Sequence, residues 1–544
     1  MAALFTTPKR NDKTSGAHFI EPDVRRRTLL AHGSWRRVTR RIVVGAVCAL
    51  TVSSLLMPSV SLATERVNVG DTWYEAGAAV GDEAGTWAWD GADDMKLNGY
   101  NGGAIEAEGK LNVNYSGNNT VTNDNGCGIS VTKDTDGNAE LNIQGDASST
   151  LNVASSSDAI WSEGDINIDG AGTVNATSTE HDAIDAKGDL TIKGGGKVEA
   201  SSIEDVAIWA DGNIEISGGS KVKANSEGDL AVDAEGSLTV TNASLNASGV
   251  EYGVYGRKGI TLDHATATVR ASTGGGWQTI ALITDEDDII IKNGSIVDAL
   301  AEGGFSAAIA SRNYNPGESG GHIYISDSAV KAIARYIETG GGGPDHYSGD
   351  QNDEIIPESE GLNIGIFAQT SEGITPATIS IIRSKVTAEG DTAAIFALAM
   401  SEDGKAIGTI EIEGAPIQRP AGGKVIDYRY EQEYSRSIIY EAGQTIGTGD
   451  AVIDSPYNEA VAKSTVIAPP EEIKPEEKPG ETKPEGSKSE GTKTTKTVAV
   501  AATGAKTAGK LAATGDASSA AIIATALVGT AAIVTGALAS RKRS

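Results

Sequence analysis

Apolar residues recur along the middle of this chain with two nested periods. Within short segments they alternate with polar residues, as in Ile166-Asn167-Ile168. The segments themselves recur every 22 to 24 residues through 158–181, 182–205, 206–229 and 230–251. Each unit reads A-[IV]-x-x-x-G-x-[IL]-x-[IV], a Gly or Asn turn, then [VL]-x-A. Alternation with β-branched residues predicts strands whose i and i+2 side chains share one face. Three such segments per period predict one coil of a solenoid, since self-similarity at this length marks units that bury their apolar face on each other.

The pattern degrades but persists from Gly102 to about Ile467. Its first strand is expected at Ile105, Ile129, Ile160, Ile184, Ile208, Val232, Val254, Ile280, Ile309, Ile366 and Ile395. The second shows as pairs such as Leu190/Ile192, and the third as pairs such as Val198/Ala200. The expected fold is all-β, a right-handed parallel β-helix of about eleven coils. The leucine-rich pattern and the calcium-binding nonapeptide G-G-x-G-x-D are absent from the sequence, and the period is too long for hexapeptide coils. Gly164, Gly188, Gly212 and Gly236 share one register, which predicts a corner with positive φ. An open solenoid end exposes core and strand edge, so Trp73, Trp87, Trp89 and Tyr100, within 64–101, are expected to cap the first coil. Longer insertions at 311–322 and 335–361 interrupt the later coils. Tyr428, Tyr430, Tyr434 and Tyr440 fit either a C-terminal cap or a binding loop.

The residue after each first-strand apolar position should face outward. That row reads Glu106, Ser130, Trp161, Asp185, Trp209, Asp233, Tyr255, Ala281, Ala310, Phe367 and Phe396. Coils stack about 4.8 Å apart, so Trp161, Trp209 and Tyr255 would stand about 9.6 Å apart with Asp185 and Asp233 between them. This is close to the disaccharide repeat of an extended β-1,4-linked glycan. Aromatic faces stack on sugar rings, and carboxylates accept hydroxyl hydrogen bonds. The five residues are therefore a candidate glycan-binding stripe; the competing reading is that the aromatics cover sheet surface. No catalytic residue is assigned. Lys and Arg are few in the regular coils. Asp93-Asp94 and Asp287-Asp288 are neighbours in sequence, which point to opposite faces of a strand, and His181, His264, His322 and His346 lack metal-ligand spacing.

Composition agrees with an all-β chain: 67 of 544 residues are Gly and 5% are aromatic. The formal net charge is −29, and most positive charge of the N-terminal stretch lies before Ala63, so the remainder is more acidic still. Such a surface repels nucleic acid and anionic membrane. Of the two cysteines, Cys48 lies in the N-terminal apolar run, which leaves Cys127 without an intrachain disulfide partner once that run is removed.

The ends read as addresses. Arg36, Arg37, Arg40 and Arg41 precede an apolar run from Ile42 to Met57, and Ser61-Leu62-Ala63 supplies small residues at a peptidase site. This is a secretory signal spanning 1–63, with cleavage expected between Ala63 and Thr64. Twin arginines at Arg25-Arg26 and Arg36-Arg37 leave both the general and the twin-arginine export routes open. Residues 468–510, rich in Pro, Glu, Lys, Thr and Gly, read as a solvated linker that reaches on the order of 120 Å if extended. In 511–544, Leu511-Ala512-Ala513-Thr514-Gly515 precedes an uncharged run from Ala517 to Ser540 and the basic end Arg541-Lys542-Arg543.

This ending resembles the sorting signal of Gram-positive wall proteins, in its L-A-x-T-G form. The resemblance implies that a membrane sortase cleaves between Thr514 and Gly515 and that a peptidoglycan amine then takes Thr514. The repeat phrases AIDAKGDLTIKGGG and YNGGAIEAEGKLNV resemble secreted bacterial carbohydrate-binding proteins built on a pectate-lyase-like β-helix. That resemblance implies polysaccharide or host-glycan binding, in a form that calcium can assist; no other cofactor is expected. The expectation is a secreted, wall-anchored surface protein acting as a carbohydrate-binding adhesin. The alternatives are a surface stalk without a specific ligand and a polysaccharide lyase or hydrolase.

Overall fold

A computed structural model describes residues 64–272, 278–313, 320–337, 362–370, 376–400, 407–430, 434–440 and 461–469. Among these residues every regular element is a strand, and the strands form three long sheets of 15, 14 and 13 members. Each coil contributes one strand to each sheet. In the coil at 184–202 these are Ile184–Ala186, Leu190–Ile192 and Lys197–Ser202. Successive coils pair in parallel, with Ile184 opposite Ile160 and Ile208, and Val198 opposite Val174 and Val222. The chain is a parallel β-helix. Its core is a set of stacked ladders: Ile160, Ile184, Ile208, Val232 and Val254 are all fully buried. Like residues stacked on like keep one packing arrangement through many coils.

The first-sheet register follows the sequence pattern from Ile105 to Ile395, with one shift. Val254 pairs with Leu282, and Leu282 with Ile309, so Leu282 continues the inward ladder and Ile280 does not. The outward row accordingly passes through Ile283 rather than Ala281. Irregular sequence before this strand breaks the spacing on which the expectation rested.

The glycines at 164, 188, 212 and 236 do not take positive φ. They pack backbone on backbone at the corner between the first and second strands. Gly188 N–H donates to Gly164 O (3.0 Å), Gly212 to Gly188 (2.9 Å) and Gly236 to Gly212 (2.9 Å). Positive φ occurs instead in the next turn, at Gly194, Gly195, Gly218 and Gly219, where Asn242 substitutes in the following coil. Polar side chains complete the first corner and the turn that follows the third strand. Asp165 Oδ1 accepts from Asp189 N–H at 2.8 Å, Asp189 Oδ1 from Asn213 N–H at 2.6 Å, and Asn213 Oδ1 from Ser237 N–H at 3.0 Å. The hydroxyls of Ser202 and Ser226 each donate to a turn carbonyl of the preceding coil and accept from a turn N–H of their own. Buried backbone groups are thereby satisfied without regular structure.

Antiparallel strands close the ends. Arg66–Val69 pairs with Ile105–Glu108, and Trp87–Trp89 pairs with Asp94–Asn98. Trp87, Trp89 and Tyr100 are buried, as expected of a cap. Trp73 is not: it is 42% exposed, under the Arg66 guanidinium at 4.4 Å from the ring centroid. At the other end Tyr434–Tyr440 pairs with Ala393–Met400 and Lys424–Tyr430, and Ser464–Ile467 pairs with Lys385–Gly390. The four late tyrosines thus belong to the strands of a C-terminal cap. Residues 1–63, 470–510 and the sorting signal 511–544 lie outside the described residues.

Candidate functional site: the outer row of the first sheet

The expected stripe is in register. Trp161 lies opposite Asp185, Asp185 opposite Trp209, Trp209 opposite Asp233, and Asp233 opposite Tyr255. It is not, however, an open display. Asp185, Trp209 and Asp233 are 5–6% exposed, while Trp161 and Tyr255 are half-buried. The reason is packing between turns and strands. Val206 and Leu230, from the turns entering two coils, form an apolar cluster with Trp209, against which Tyr252 and Tyr255 rest. The indole of Trp209 also donates to Asp211 Oδ1 at 2.8 Å, which fixes the ring along the sheet. The outer row continues into a second apolar cluster that includes Ile283, Ala310, Phe367 and Phe396. From Trp209 onward the outer face of the first sheet is therefore largely covered, with Tyr255 half-buried between the two clusters.

Polar groups within the row are tied down. Lys187 Nζ donates to both oxygens of Asp185, at 2.8 and 2.7 Å. Tyr255 Oη donates to Asp285 Oδ2 and Tyr252 Oη to Gln278 Oε1, each at 3.3 Å. Arg312, 2% exposed, reaches both acceptors, with Nε on Asp285 Oδ1 at 2.9 Å and Nη1 on Gln278 Oε1 at 2.8 Å. Burial, reinforced by the Asp285 carboxylate, raises the Tyr255 phenol; burial pushes Tyr252 up to about 12.

One group was not singled out from the sequence. Asp158, Asp182 and Asp185 converge, with one oxygen of each within 4.8 Å of the others. The signal was present in the repeated Asp-Ala-Ile at 158–160 and 182–184, which places a carboxylate just before the strand in two successive coils. Two of the three act as turn caps: Asp158 Oδ1 accepts from Asp182 N–H at 3.1 Å, and Asp182 Oδ1 from Val206 N–H at 3.0 Å. The third carries the Lys187 ammonium. Calcium takes six to eight oxygens. Three carboxylates already engaged by backbone N–H groups and an ammonium fit that requirement poorly.

Burial pushes the Asp185 carboxyl up to about 6 against the pull of Lys187, with Asp158 adding to the rise. Asp288, half-buried beside Asp287, is also pushed up to about 6 by partial burial and by that neighbouring carboxylate. Both bind protons more tightly folded than unfolded. Their contribution to stability is complete below the ordinary carboxyl value near 3.8 and is lost as pH rises through about 6. Folding stability should therefore rise between pH 7.5 and pH 5, by about 1.4 kcal/mol for Asp185 alone, and the thermal midpoint should rise with it. Asp185→Asn should flatten that rise in a calorimetric pH series. Below about pH 3.5 the trend should reverse, since Asp82, Asp263 and Asp327 are held below the usual carboxylate range by hydrogen bonds from Thr86, Asn293 and Arg383.

A shallow cavity of about 300 Å³ opens at the corner between the first and second strands, lined by Lys110, Lys133, Asn138, Glu140, Glu163 and Asp165. Lys110 and Glu140 are paired there at 3.2 Å. The carboxylate neighbours also resolve. Asp93 accepts from Thr64, Asp94 from Asn112, and Asp288 from the His322 backbone. Each serves local structure.

No protein-family model, curated protein or solved structure matches the chain.

Proposed function

We propose that this is an exported, wall-linked surface protein whose β-helix recognises polysaccharide at the margins of its outer aromatic row. The observation that carries the reading is the in-register alternation of Trp161, Asp185, Trp209, Asp233 and Tyr255. With the middle three buried, the contacting groups are the half-buried Trp161 and Tyr255, and Trp209 serves to hold the row rigid. Sugar stacking at two fixed rings would be pre-organised, which lowers the entropy cost of binding. The N-terminal signal supports export. The L-A-x-T-G signal supports sortase cleavage and covalent attachment of Thr514 to peptidoglycan, with the linker extending the coils away from the wall.

A second reading is favoured by the burial of Asp185, Trp209 and Asp233: a rigid spacer with no ligand. At about 4.8 Å per coil, eleven coils span roughly 50 Å. A glycan array separates the two. The secreted chain should bind a defined set of polysaccharides, and Trp161→Ala with Tyr255→Ala should weaken that binding about tenfold or more, given stacking worth on the order of 1 kcal/mol per ring. Silence on the array supports the spacer, and release of shortened sugars indicates an enzyme.

A further inference from the structure

The N-terminal cap holds Thr64, the residue after the expected cleavage site, through several contacts. Thr64 is fully buried. Its backbone nitrogen donates to Asp93 Oδ1 at 3.0 Å, and its hydroxyl donates to Lys110 O. The next residue, Glu65, donates its N–H to Glu108 O at 2.9 Å and accepts from Ala76 N–H at 3.0 Å. Asp93 is anchored in turn, since its carbonyl accepts from Asn112 N–H at 2.8 Å. One carboxylate therefore faces one backbone nitrogen at the point where cap and first coil meet.

That nitrogen is also the one expected to be freed by signal removal. Hydrolysis of the Ala63–Thr64 bond adds one water, leaving a carboxylate on Ala63 and an amine on Thr64 that takes up a proton at neutral pH. Before the cut the nitrogen is an uncharged amide donor. After it the same atom is an ammonium at the same carboxylate. Charge-assisted hydrogen bonds are roughly twice as strong as neutral ones, and more so away from water. We propose that the mature N-terminus is itself a structural element: the Thr64 ammonium pairs with the Asp93 carboxylate and locks the cap over the first coil. The inference rests on the signal-peptide reading above. It also orders events, because a buried Thr64 is out of a peptidase's reach once the cap has closed, so the cut precedes folding of the cap.

The test uses the full mature chain secreted by a Gram-positive host. Mass spectrometry first identifies its N-terminal residue. Its α-amine is then acetylated selectively at mildly acidic pH in denaturant, where the terminus is exposed, and the chain is refolded beside an untreated sample taken through the same steps; the product keeps an N–H donor and lacks the charge. Hydrogen exchange is read at Glu65, Gly70 and Ala76, whose amides bond within the cap. Acetylation should speed their exchange about fivefold to tenfold, as expected for loss of a charge-assisted bond in a locally opening unit. Asp93→Asn should give a similar loss and should remove any further effect of acetylation. If Thr64 is the first residue and acetylation leaves exchange unchanged, or if the two losses simply add, the pairing is overturned. If the chain begins elsewhere, the assigned cleavage site fails and the proposal fails with it.

Discussion

Gly164→Ala should destabilise the β-helix by about 3 kcal/mol or somewhat more, the upper end for forced overpacking, and secreted yield should fall with it. A methyl group on Gly164 would run into the carbonyl oxygen of Ala139 in the coil below, and that atom belongs to backbone, which cannot swing aside. The same corner holds Gly188, Gly212 and Gly236 in one hydrogen-bonded ladder, so displacement at one level propagates to the next. Gly304→Ala is the control. Nothing lies within 4 Å of its added methyl and its φ is not in the left-handed region, so stability should hold or rise slightly. Urea unfolding followed by circular dichroism compares the two. Equal midpoints would show that the corner tolerates a side chain and that backbone contact between coils is looser than the structure has it.

Trp209→Ala should cost about 3–5 kcal/mol, as for other large-to-small changes in a packed interior. The indole is 5% exposed, packs with Val206 and Leu230, and bonds Asp211. Trp161→Ala, at a half-buried position of the same row, should cost clearly less. In a solenoid the loss is felt mainly by adjacent coils, so the cooperative unfolding transition should broaden as well as shift. Measuring glycan binding on both variants distinguishes their roles. A Trp209→Ala chain that keeps its stability while losing binding would contradict the burial of that ring and restore the open stripe.

These two experiments concern residues that the sequence treated differently from the structure. The recurrence of Gly164, Gly188, Gly212 and Gly236 was plain, but its cause was not. A glycine answers equally to positive φ and to close approach, and a linear pattern cannot separate them. The Trp161–Tyr255 row was correctly indexed because strand alternation is local. Its burial was not legible, because Val206 and Leu230 reach Trp209 from turns whose path depends on the whole coil. The Asp158–Asp182–Asp185 convergence was visible as a repeated Asp-Ala-Ile but needed the turn geometry to bring its third member near. Ile280 was misplaced because irregular sequence before it removes the fixed spacing.

The sequence by itself determined the solenoid. Alternation sets which side chains face inward, and the 22–24-residue period sets which of them stack, since parallel coils can satisfy both only in one register. Tertiary structure decided what the outer face became. Stacking brings turn residues of neighbouring coils over the first sheet, where burying Trp209 against Val206 and Leu230 is more favourable than leaving its ring in water. A row that the sequence presents as a surface thus became, at its centre, part of the core.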